Sequence, residues 1–117
     1  MVYKIERIKP HYLELATVTI TAGGTEKKLV KVSDDITIED LVFIETAGAN
    51  TKKITVTMRV EDEVVMHDRA PVYLFDITNQ NRYKIAFSVR ANEEIEFGFE
   101  NNDTVDANIT IIAVITK

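Results

Sequence analysis

Apolar and polar residues alternate with a period of two along most of this chain, the signature of half-buried strands. The pattern is clearest at 52–60, KKITVTMRV, where Ile54, Val56, Met58 and Val60 share one face and Thr55, Thr57 and Arg59 the other. It recurs at 13–21, with Leu13, Leu15, Thr17 and Thr19 opposite Ala16, Val18 and Ile20. Further strands are expected at 3–8 (stopped by Pro10), 27–33, 36–46 with a bend near Glu39-Asp40, 64–68, 72–77 opened by Pro71, 82–90, 94–100 and 107–116. Turn formers separate them: Ala22-Gly23-Gly24, Asp34-Asp35, Ala47-Gly48-Ala49-Asn50, Glu61-Asp62-Glu63 and Asn79-Gln80-Asn81. Residues Ile38 to Leu41 have room for one helical turn and no more. About nine short strands with turns at this spacing predict a single all-β domain over 1–117, an antiparallel β-sandwich of jelly-roll-like or immunoglobulin-like connectivity.

Three segments break the alternation by being apolar on both sides: Leu41-Val42-Phe43-Ile44, Val72-Tyr73-Leu74-Phe75 and Ile111-Ile112-Ala113-Val114-Ile115. A two-layer sandwich normally turns its outward face to water. Continuous apolar strands therefore predict a covered outer face, by an N-terminal arm, a long loop or a second copy of the chain. Leu41, Phe43, Tyr73 and Phe75 are the expected interface residues of a homo-oligomer, although the register leaves open whether Phe43 or Val42 points outward.

Composition strengthens the strand reading. The chain holds 13 Val, 14 Ile and 13 Thr among 117 residues but only 5 Leu, and β-branched side chains favour the pleated sheet over the helix. The net charge is -5, which argues against nucleic acid or an anionic membrane as partner. There is no Cys, so no disulfide framework or thiolate metal site can form. The opening MVYKIERIKPHYLEL carries charges where a secretory leader needs an apolar core, and no run is long enough for a membrane helix. These features predict a protein that is cytoplasmic at synthesis.

Candidate chemistry is sparse. NNDTVD, residues 101–106, gathers Asn101, Asp103 and Asp106, oxygen donors of the kind Ca²⁺ takes. The spacing of a calcium loop is missing, and Asn and Asp also nucleate turns by bonding their own backbone. A turn between two strands is the expectation, with a Ca²⁺ site as the alternative. Glu61-Asp62-Glu63 reads as a solvated hairpin tip. His67-Asp68 offers an imidazole beside a carboxylate, yet no nucleophile accompanies it: Ser33 and Ser88 are the only serines, and no Gly-rich elbow surrounds Ser88. His11 and His67 are far apart in sequence. No enzyme activity and no cofactor are expected. Glycan stacking would fall to Tyr3, Tyr12, Tyr73 and Tyr83, because the chain has no Trp.

The ending GFENNDTVDANITIIAVITK, a strand, an Asn/Asp-rich turn and a Val/Ile strand, resembles the final hairpin of jelly-roll structural proteins of phage and virus particles. The likeness covers mainly residues 64–117. It implies assembly through subunit contacts in a virion, with no active site. Because the chain lacks a long N-terminal arm and elaborate insertions, it implies an accessory, decoration or head-associated role. The alternative expectation is a carbohydrate-binding or attachment module of the same architecture, with surface glycan as its partner.

Overall fold

The structure, a computed structural model, describes residues 11–116, apart from the side chains of His67 and Asp68. The strand expected at 3–8 lies outside the described residues. Eight strands follow: β1 His11–Ile20, β2 Thr25–Lys31, β3 Ile36–Glu45, β4 Ile54–Val60, β5 Glu63–Pro71, β6 Phe87–Val89, β7 Glu94–Asn101 and β8 Ala107–Thr116. They form two four-stranded sheets, ordered β1-β8-β3-β6 and β2-β7-β4-β5. The antiparallel pairs β1–β8, β2–β7, β3–β6 and β4–β5 nest as one long hairpin rolled into two layers. This is the eight-strand jelly roll, and it excludes the immunoglobulin-like alternative.

Alternation decides the faces. Along β8, Ala107, Ile109, Ile111, Ala113 and Ile115 are buried while the residues between them are half-buried. Phe97 and Phe99 of β7 face them from the other sheet, and Phe43 of β3 sits among the rings at the centre. Its ring centroid lies 5.3 Å from Phe75, 6.3 Å from Phe97 and 6.1 Å from Phe99, the range in which aromatic pairs attract.

Two bulges alter the expected pattern. In β1 the register slips between Glu14 and Ala16, so the inward set switches parity: Leu13 pairs with buried Ala113 while Val18 pairs with buried Ile109. One extra residue in a strand has this effect. The bend near Glu39-Asp40 is a second slip, between Ile38 and Asp40 against β8. It lets both Ile38 and Leu41 reach the core, each with no exposed surface.

Residues 72–77 are not a strand. Val72–Phe75 form a 3₁₀ turn, in which side chains three apart eclipse. Val72 and Phe75 are three apart and both fully buried. Burial with a period of three, not two, explains why this apolar stretch misleads a strand reading. The chain then runs along the edge of β3: the N–H of Ile77 donates to the carbonyl of Phe43 at 3.1 Å, and the Arg82 guanidinium meets Asp40 at 3.3 Å. Only Phe87–Val89 of the strand expected at 82–90 pairs with β3. Among the described residues no helix is long and apolar enough to cross a membrane.

Candidate functional site

At one end of the sandwich the loops 21–24, 46–53 and 102–106 meet, and NNDTVD is part of the seam. Asn101 is fully buried. Its amide donates to the carbonyls of Ile20 at 3.1 Å and Val105 at 2.9 Å, while its oxygen accepts the N–H of Asp103. Asp103 accepts the N–H groups of Asn50 at 2.8 Å and Thr104 at 2.7 Å. Asp106 accepts the N–H of Ala22 at 2.9 Å. The oxygens offered to a cation are aimed at backbone N–H groups, and the arrangement is that of a turn. The N–H of Asn50 first, then that of Thr104, with Lys53 nearby, hold the Asp103 carboxyl below its ordinary range. Among the described residues no group of three or more His, Asp or Glu is placed to hold a metal ion.

Glu45 is a structural residue that the sequence did not mark. Its two carboxylate oxygens accept the N–H groups of Ala47, Gly48, Ala49 and Asn108 at 2.7–3.0 Å. Gly48 adopts φ +92°, a left-handed conformation suited to glycine, and this wraps the loop around the carboxylate. The Gly at 48 was the available signal, since it announced a tight turn three residues after an acidic side chain.

Three of the four expected interface residues are corrected by the structure. Leu41, Phe43 and Phe75 have no exposed surface within a single chain. The β3 bulge and the 3₁₀ turn point them into the core, so they cannot meet a second subunit. Tyr73 stays half-buried at the loop end, with the Lys52 ammonium 4.7 Å from its ring centroid. The outward apolar residues are their sequence neighbours. Val42 pairs with Ile112, Ile44 with Thr110, and Val114 with Tyr12, so these residues share the outer side of the first sheet, where Val42 is itself buried and Ile44, Ile112 and Val114 are half-buried. Tyr12 is 72% exposed.

Among the described residues, the side of the sandwich formed by β1 and β2 is open. A groove of about 470 Å³ runs between the two sheets there, lined by Leu13, Leu15, Val30, Val32, Ile36 and Ile115. Among the described residues β1 has a neighbour on one side only. Backbone direction on that edge follows from β8. The carbonyl of Asn108 accepts from Thr46 and its N–H donates to Glu45, both on the β3 side. Antiparallel alternation then turns the groups of Ala107, Ile109 and Ile111 toward β1. Their partners Ile20, Val18 and Ala16 bond to β8, which leaves the N–H and C=O of Thr17 and Thr19 facing the open edge.

His67 and Asp68 sit on β5, but their side chains lie outside the described residues. His11 begins β1 at the mouth of the groove. Ser88 is on the outer side of β6, its hydroxyl 3.4 Å from that of Thr37. No known family model matches the chain, and no curated protein matches it.

Proposed function

We propose that this jelly-roll domain is a non-enzymatic structural protein that self-associates, as an accessory or decoration component of a phage or virus particle. The observation that carries the reading is the outer face of the first sheet. Ile112, Val114 and Ile44, half-buried on that face, occupy positions where a free-standing sandwich presents polar side chains. The jelly roll is an architecture that capsid domains use, and lectins use it too, so the fold supports the reading without deciding it. Assembly would be passive: apolar face and sheet edge are buried against other copies, and the loops at 46–53, 61–62, 76–86 and 102–106 are presented outward.

The test is the solution mass by light scattering across a wide concentration range, with Ca²⁺ and with EDTA. A defined oligomer, insensitive to the chelator, is expected. A single-chain mass at every concentration overturns self-association. The second reading, a glycan-binding module, is favoured by Tyr83, a residue 58% exposed whose ring packs edge-on against Phe75. It predicts saturable binding of oligosaccharides that Tyr83→Ala abolishes.

A further inference from the structure

We propose that the subunit contact is an edge-to-edge pairing of β1 with β1 of a second copy, related by a twofold axis through Val18. The inference rests on the self-association reading and names its surface.

The four sheet edges differ in how they are protected. β2 carries Lys27, Lys28 and Lys31 in seven residues, and charged side chains on an edge discourage pairing. β5 has two register slips against β4 and ends in Arg69-Ala70-Pro71. β6 is three residues long. β1 is different. Past its bulge, Ala16-Thr17-Val18-Thr19-Ile20 holds no charge, proline or glycine and keeps unbroken register with β8. Unprotected edges of this composition are the ones that accept another strand.

The free backbone groups select both the partner and the register. Thr17 and Thr19 present their N–H and C=O outward. Under a twofold at Val18, Thr17 pairs with the partner's Thr19 and Thr19 with the partner's Thr17. Each pair exchanges two hydrogen bonds, four in all. Centring the axis on Thr17 would run the pairing into the bulge at Leu15. Centring it on Thr19 would require the carbonyl of Thr21, which already accepts from Gly24 at 2.9 Å. The Val18 register also sets Glu14 opposite the partner's Ala22, so the acidic side chains do not meet. Threonine pairs across strands are favourable, and the first sheet becomes an eight-stranded sheet across the dimer.

Thr19→Pro tests the pairing with little disturbance of the chain. The Thr19 N–H faces the edge, so proline removes no backbone bond to β8, only the exposed 3.4 Å bond from the Thr19 hydroxyl to the Asn108 side chain, and occupies a position that edge strands tolerate. It deletes two of the four intersubunit bonds. The wild-type chain is expected at twice its monomer mass, and Thr19→Pro at monomer mass with an unchanged far-UV spectrum, its dimer weaker by about tenfold or more. An oligomer that Thr19→Pro leaves intact overturns the β1 contact and spares self-association; a wild-type monomer overturns both. Amide hydrogen exchange on the wild-type protein reads the same contact without a variant. Thr17 and Thr19 are expected to gain protection as concentration rises. Free exchange at concentrations where the mass has doubled, or protection that does not depend on concentration because residues 1–10 of the same chain cover the edge, overturns the proposal.

Discussion

The side-chain amide of Asn101, buried at the end of β7, donates to the backbone carbonyl of Ile20, at the end of β1, across 3.1 Å. This bond ties the second sheet to the first at the loop end of the sandwich. A second bond, to the carbonyl of Val105, closes the final turn. Asn101→Ala would leave two carbonyls and the Asp103 N–H short of their partners. The expected loss is about 2–3 kcal/mol of unfolding free energy, read from urea denaturation. Unchanged stability would mean that water replaces all three contacts.

Phe43 touches three other rings, so its truncation opens a cavity that neighbouring strands cannot close. Phe43→Ala is expected to cost about 3–5 kcal/mol. Phe75→Glu buries a carboxylate against the rings of Phe43 and Tyr83, and the expected outcome is an unfolded chain. A folded Phe75→Glu monomer, seen by circular dichroism and light scattering, would place Phe75 at an interface and contradict its burial.

Glu45 gathers four backbone N–H groups, and a charged acceptor strengthens each bond. Glu45→Ala is expected to destabilise by about 2 kcal/mol and to speed amide exchange at Ala47, Gly48 and Ala49. Exchange confined to its wild-type rate would show that the loop holds itself.

Asp103 titrates below the ordinary carboxylate range, so the folded state holds its charged form more strongly than the unfolded chain does. Its contribution is fully present above the unfolded value, about pH 3.9, and is lost as pH falls through the lower folded value. Asp103→Asn should therefore have a shallower decline in melting temperature than the wild type below about pH 4. Parallel acid limbs would remove Asp103 as a source of acid sensitivity.

The same hydrogen bonds bear on calcium. Asn101, Asp103 and Asp106 each spend a side-chain oxygen on a backbone N–H, and a cation would have to displace those donors. Added Ca²⁺ is expected to leave the melting temperature where EDTA leaves it. A rise that grows with Ca²⁺ concentration is the signature of binding to the folded state and would reopen the loop as a site.

The sequence by itself determined the class of the fold and most of the strands. A period of two, read from residues a few positions apart, says which side chains share a face, and it placed β8 at 107–116 and β4 within 52–60. NNDTVD was legible as a turn for the same local reason, since Asn and Asp bond backbone within a few residues. Only the tertiary structure decided the rest. β1 pairs with β8 across almost the whole chain, and no local pattern names so distant a neighbour. The β1 bulge reversed the parity of Leu13, and the 3₁₀ turn at Val72–Phe75 replaced a period of two by one of three. The 3₁₀ turn and the β3 bulge put Leu41, Phe43 and Phe75 in the core and left Ile112 and Val114 half-buried on the outer face. The open edge of β1 follows from strand order, and which of its N–H groups are free follows from hydrogen bonds on the far side of β8. Alternation identifies faces; only the assembled sheet identifies edges.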